Sequence, residues 1–195
     1  MEFQDVVRRR RMVRKFTDEP VAEESVRRIM RNAVRGPSAG FSQGQGFLVL
    51  QGEDVQRFAA KFEWWSNEDV KKAPVLVIPF SAKDVYLDRY AQADKGWTDR
   101  DENHWPVPYW DIDTGMAALL ILQTAVDEGL GAVFFGTSRD EWPAIRAEFG
   151  VPESYSPIGV IAIGHPAETG VSDGASPRTR QRRPFDEVVH WGQWG

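Results

Sequence analysis

Arginine is the residue type whose placement says most about chemistry in this chain. Residues 8–14 hold five arginines in seven positions, and residues 178–183 hold four in six. Such runs are ordinarily solvated basic faces. Here, however, the protein as a whole is acidic, with a formal net charge of −5. The first cluster is interrupted by the apolar pair Met12 and Val13, and the second lies in an aperiodic tail. Two basic patches in an acidic chain suggest one shared anionic ligand. Guanidinium forks suit phosphate because they donate two parallel hydrogen bonds. Between the clusters, Gly36-Pro37-Ser38-Ala39-Gly40-Phe41-Ser42-Gln43-Gly44 reads in two ways. It is a plain loop of turn residues, or a backbone able to approach a flat ligand, with Ser38 and Gln43 supplying hydrogen bonds.

Other chemistries are poorly served. The sequence has no cysteine, which removes disulfides, thiolate catalysis and cysteine-held zinc or iron–sulfur centres. Its three histidines, His104, His165 and His190, do not fall at helical metal-ligand spacing, so no metal is expected. His104 and His190 are proton donors or simply structural. The acidic balance argues against a nucleic-acid partner. The longest apolar stretch, Met116 to Leu122, is too short to span a bilayer. No signal-like apolar run opens the sequence, and a cytoplasmic location is expected.

The elements that must position these residues follow from periodicity. Residues 2–10 read as a short helix with Phe3, Val6 and Val7 on one face, followed by a β-like segment Met12 to Phe16. Val26, Ile29, Met30 and Ala33 mark an amphipathic helix over 23–35, stopped by Gly36-Pro37. Phe47 to Gln51 is a strand, Glu53 to Phe62 a helix, and Ala73 to Phe80 a strand buried on both faces. Residues 83–110 open with a short helix near 83–92 and carry six tyrosines and tryptophans among many charges. This aromatic excursion is expected to be ordered, either as a substrate lid or as cover for core or interface. Asp113 is expected to N-cap a helix to Glu128 whose middle has almost no polar face, and Gly129 to end it. Such a helix belongs in the core or at a subunit interface. A strand over 132–135, a helix over 140–149 and a strand over 158–163 complete the body. The tail ends in apolar Val188-Val189-His190-Trp191, which is expected to dock on something.

Taken together, the segments resemble the FMN-binding nitroreductases. Arg10-Arg11-Met12-Val13-Arg14-Lys15-Phe16 looks like that family's Arg-Arg-Ser-Val-Arg-x-Phe signature. Pro37 to Gln43 resembles its Pro-Ser loop. Asp113-Thr114-Gly115, Glu128 to Gly131, Phe134-Phe135-Gly136, Pro157 to Pro166 and Arg180 to Phe185 are similar to later family segments, in the same order. The resemblance covers essentially the whole chain.

It implies a single α+β domain over 1–195, a three-layer sandwich with a mixed central sheet flanked by helices. An extended C-terminal arm, about 167–195, would clasp a partner. It implies FMN between the subunits of a homodimer, held by Arg10, Arg11, Met12, Arg14, Phe135 and Gly136, with Arg180 and Arg182 joining Arg10 on the phosphate. Arg14 would sit at the flavin's pyrimidine edge. Pro37, Ser38, Ala39 and Gln43 would come from the partner subunit. The implied activity is ping-pong transfer from NADH or NADPH through the flavin to an electron-poor small molecule (a nitroaromatic, quinone or enone), with no catalytic side chain. A flavin-sequestering protein and a specialised enzyme using a deazaflavin donor are the alternatives. The sequence departs from the family at Met12, where serine is usual, at Phe41, where asparagine is common, and at Gly44-Gln45, which replace Pro-Trp.

Overall fold

The computed structural model describes residues 1–62, 67–167 and 179–194. Its elements run α1 (Phe3–Arg9), α2 (Glu23–Ala33), β1 (Gln45–Gln51), α3 (Glu53–Lys61), α4 (Glu68–Lys71), β2 (Val75–Ser81) and α5 (Lys83–Tyr90). Then follow α6 (Tyr109–Asp127), β3 (Gly131–Phe135), α7 (Trp142–Phe149), β4 (Ser156–Pro157) and β5 (Val160–Gly164).

The strands line up β1-β2-β5-β3 in antiparallel pairs, with β4 against the end of β2. Side chains alternate across a strand, so β2 feeds both faces at once. Leu76, Ile78 and Phe80 pack with Val55, Phe58, Phe62, Val70 and Ile145, beneath α3, α4 and α7. Val75 and Val77 pack with Ile29, Ala33, Ala118 and Ile121, beneath α2 and α6. The result is the three-layer α+β sandwich. The segment after α1 makes the sheet mixed: Met12 bridges Ala132 in parallel, and Phe16 bridges Pro166.

Helix α6 begins five residues earlier than its sequence suggests. Pro108 precedes it and accepts the first amides, from Asp111 at 3.0 Å and Ile112 at 3.2 Å. Asp113 is therefore not a cap but a buried residue inside the helix. The far end matches expectation. Gly129 takes φ +76°, Leu130 N–H bonds the Ala125 carbonyl at 2.8 Å, and Gly129 N–H bonds Val126 at 3.0 Å. That is a Schellman ending, which a side chain at Gly129 would strain. Ala117, Ala118, Ile121, Leu122 and Ala125 face the core, whereas Tyr109, Ile112, Met116 and Leu119 form an exposed apolar stripe.

Elsewhere the differences are local. In α1 only Val6 is buried, and Phe3 and Val7 are exposed. The short α4 and β4 carry too few residues for any period to show. Residues 83–110 are ordered, with Tyr86, Leu87 and Trp105 buried in a third cluster against Tyr90, Trp97 and Trp110. In the described part of the tail, Phe185, Val188, Trp191 and Trp194 are exposed on a single chain, so its apolar end is not packed into the chain's own core.

Ile121 is fully buried where α6 meets the sheet. Ile121→Ala is expected to cost about 2–5 kcal/mol, lowering the urea midpoint at constant slope. An unchanged midpoint would mean that α6 is not seated as described.

Candidate functional site

The arginine-rich segment is shaped by the end of α1 and by β3. Arg10 N–H caps α1 by bonding the Val6 carbonyl at 2.9 Å, after which Val13 N–H bonds Ala132 at 2.9 Å. Residues 10–14 are thereby laid along β3. Arg10 is half-buried and its side chain has no ion pair or hydrogen bond among the described residues. Arg14 Nη1 donates to the Met12 carbonyl at 3.4 Å. Met12 uses its sulfur where the family usually has a hydroxyl, accepting Phe134 N–H at 3.4 Å. Arg11, with Arg9, Val13, Gly129, Gly131 and Pro166, lines a cavity of about 370 Å³ beside the C-terminal end of α6. At the end of β3, Phe135 is half-buried and Gly136 exposed, with nothing within 4 Å of where a Cβ would stand.

The Pro37–Gln43 loop is held by α5 and α6. Gly36 lies against Ala117, leaving only 3.3 Å for a Cβ. Ser38 is extended, and its Oγ accepts Gln43 N–H at 3.0 Å. Ala39 N–H donates to Asp113 Oδ2 at 2.8 Å, and the Tyr86 hydroxyl donates to the same oxygen at 2.8 Å. Arg89 Nε donates to the Gly40 carbonyl at 3.0 Å. Gly40, Phe41 and Gln43 all have positive φ, between 55° and 59°. Left-handed backbone costs a non-glycine residue roughly 1–2 kcal/mol, so external bonds must hold this shape. Phe41 and Gln43 are exposed, and Gln43 Nε2 turns back to the Phe41 carbonyl at 3.4 Å.

One chain does not bring these two groups together. The loop rests on Asp113 and Ala117, and the Arg9–Arg11 cavity on Val126 and Gly129. At 1.5 Å per residue, Asp113 and Val126 are roughly 20 Å apart along α6. Arg180 and Arg182 lie exposed in the tail with no hydrogen bond or ion pair among the described residues, while Arg183 pairs with Glu187. Arg178 lies outside the described residues.

Asp113, Tyr86 and Arg89 were not singled out as site residues from the sequence. The available signal was an acid four places before Ala117, on the buried face of an apolar helix. The aromatic excursion turns inward: Tyr90 and Trp105 centroids are 4.4 Å apart, and Trp97 and Trp105 5.3 Å. Trp110 lines an open, polar cavity of about 640 Å³ shared with Trp142, Arg139, Lys83 and Asp111. His104 pairs with Asp99 at 2.9 Å and stacks on Trp97, and its hydrogen bond holds the Asp99 carboxyl below the usual range. His190 stacks on Trp194 at 4.1 Å.

This fold and the order of its segments define a family. The sequence model of the Nitroreductase family matches residues 7–165, and the chain belongs to that family. It is 29% identical over 197 residues to a protein of Methanothermobacter thermautotrophicus provisionally named NADH dehydrogenase/NAD(P)H nitroreductase, covering 100% of this chain and 88% of the other. It is 25% identical to an NADPH-dependent oxidoreductase of Staphylococcus aureus, covering 97% and 73%. In fold it is similar to a Desulfovibrio desulfuricans protein solved in complex with FMN, at TM-score 0.72 and 24% identity, covering 100% and 99%.

Burial, and then the hydrogen bond to Asp113, push the Tyr86 phenol well above its ordinary value of 10.0. The folded chain thus keeps a proton that the unfolded chain loses near that pH. This contribution is whole below pH ~10 and is lost as pH rises further. Between about pH 10 and 11, Tyr86 should steepen the fall in unfolding free energy by up to about 1.4 kcal/mol per pH unit. Urea midpoints across that range should show a shallower fall in Tyr86→Phe. An equal slope in both proteins would refute the assignment.

Proposed function

We propose that the chain is an FMN-dependent oxidoreductase, active as a homodimer, that takes electrons from NADH or NADPH and passes them to an electron-poor small molecule. The observation that carries this reading is the separation of two half-sites by about 20 Å on one helix, beside an exposed apolar stripe on that same helix. Tyr109, Ile112, Met116 and Leu119 are each 36–45% exposed. A stripe of that kind marks an interface. A two-fold axis across it would bring the loop of one subunit toward the arginine segment of the other. The exposed aromatic tail is the second surface awaiting a partner.

The residues present fit the cofactor. Arg10 is half-buried without a carboxylate partner among the described residues, the state expected of a guanidinium reserved for a phosphate. The open Cβ space at Gly136 leaves the end of β3 accessible to a planar ring. When bound, FMN supplies the redox chemistry that no side chain of this cysteine-free chain offers. Arg10, with Arg180 and Arg182 from the tail, would hold the phosphate. Arg14 places positive charge beside β3, where it favours added negative charge on a ligand. Ser38 Oγ, accepting from Gln43, keeps its own proton to donate. In a ping-pong cycle the nicotinamide leaves before the acceptor binds, so one open face serves both.

The purified protein should show flavin absorption that survives desalting, and anaerobic NADH or NADPH should bleach it. Arg10→Ala and Arg180→Ala should each raise the FMN dissociation constant at least about tenfold, the loss of one charged hydrogen bond. Their unfolding midpoints should stay near the parent's. A colourless protein that refuses added FMN would overturn the enzyme reading, and retained flavin without bleaching would leave a binding protein.

Leu119→Asp places a charge in the stripe without touching the core. It should shift the protein from dimer to monomer in sedimentation and release flavin together with the partner. A dimeric, flavin-loaded Leu119→Asp protein would mean that the site is not shared across α6.

A further inference from the structure

The Pro37–Gln43 loop gains its shape from side chains that lie outside it. Asp113 is 3% exposed, and one of its carboxylate oxygens receives both Ala39 N–H and the Tyr86 hydroxyl. Fixing Ala39 N–H fixes the peptide plane between Ser38 and Ala39, and the bond from Gln43 N–H at 3.0 Å holds Ser38 Oγ on that fixed backbone. The Gly40–Phe41 peptide is also pinned, since Arg89 Nε bonds the Gly40 carbonyl while its Nη atoms are held by Asp94 at 2.8 and 2.7 Å.

The aromatic segment packs directly beneath. A Cβ on Gly40 would stand 2.6 Å from Tyr90, and one on Gly44 would stand 2.6 Å from Tyr86. Behind these rings, Trp97 N–H bonds the Tyr90 carbonyl at 2.9 Å, and Trp97 and Trp105 flank the Tyr90 ring at 4.9 and 4.4 Å. Each layer supports the next, from the tryptophans through the tyrosines to the loop.

We propose that Asp113 is the positioning residue of the loop that presents Ser38 to FMN, and that the aromatic segment 83–110 is the brace for this loop. The inference rests on the flavin reading above and assigns to that site a residue set that does not touch the ligand. Strain explains why a brace is needed: Phe41 and Gln43 are held in left-handed backbone that the loop alone would relax. A loop free to relax would turn Ser38 away, at a cost in flavin affinity and geometry.

The test compares Asp113→Ala, Asp113→Asn, Ala39→Pro and Tyr86→Phe with the parent. Ala39→Pro removes the loop's N–H donor and sets its ring Cδ where the amide hydrogen stood, so the Asp113 carboxylate must also withdraw from the loop. Ser38 already has the extended backbone, φ −143° and ψ 141°, that a following proline requires. The readouts are the FMN dissociation constant, the visible circular dichroism of bound FMN, and the unfolding midpoint of the flavin-free protein. Asp113→Ala and Ala39→Pro should each weaken FMN binding tenfold or more and alter the dichroism. Asp113→Asn, whose amide oxygen still accepts from Ala39, should stay within threefold of the parent, and Tyr86→Phe should fall between. Folded Asp113→Ala and Ala39→Pro proteins with parental affinity and dichroism would overturn the inference. Should Asp113→Ala fail to fold, a folded Ala39→Pro protein decides alone, because it breaks the contact from the loop side and keeps the Asp113 and Tyr86 side chains in place in the sequence. A parent that takes up no FMN would overturn the flavin reading and this inference with it. Variants that bind as well as a flavin-loaded parent would overturn this inference only.

Discussion

Helix α6 has no polar face through its middle turns, and its surroundings follow from that constraint. An apolar helix must lose contact with water on every side. The chain covers one side, where Ala117, Ala118, Ile121 and Ala125 rest on the sheet and on α2. It leaves the other side, Ile112, Met116 and Leu119, in solvent. Small residues on the covered side let the helix approach closely, and larger ones on the open side offer area to a second surface.

The same helix sets the separation of the chemistry. Near its start, Asp113 organises a loop. Beyond its end, Gly129 turns the chain into β3, which lays residues 12–14 alongside. The two ends of one rigid rod therefore carry the two halves of the proposed ligand site. Distance along the rod keeps the halves apart within one chain, and antiparallel pairing of two rods would bring unlike ends together. The departure at Met12 fits this arrangement, because its sulfur and carbonyl are spent on Phe134 and Arg14, tying the segment to β3.

What the sequence made legible was whatever depends on period and on glycine. The apolar spacing of α2, the unbroken run of β2 and the glycine ending of α6 each have one physical solution, and the structure adopts it. Asp113 was harder to read, because an aspartate before an apolar helix is normally a cap; a buried acceptor for a distant loop leaves no periodic trace. Its donors lie far away in sequence, at Ala39 and Tyr86, so only folding reveals them. The tryptophans of 97–110 posed the same difficulty. An indole facing a ligand and one facing a tyrosine look alike in sequence, and ring distances had to separate them. Arg180 and Arg182 lie exposed in the described part of the tail, so one chain does not show what they meet.

An acidic protein that is to bind an anion needs its positive charge kept free at one place and cancelled elsewhere. Several ion pairs contribute to that cancellation. On α2, Arg27, Arg28 and Arg31 meet Glu23, Glu128 and Glu24; Arg57 meets Asp54 and Glu148; Arg100 meets Asp88. These exposed pairs add little stability. What they do is remove those arginines as competing anion sites. Arg10, half-buried at the end of α1 and without a carboxylate partner among the described residues, keeps its charge available. Since salt screens exposed charges over about 8 Å, the acid elsewhere on the surface does little to weaken it. A net charge of −5 is thus compatible with a phosphate site, because the local pairing pattern decides where an anion can go.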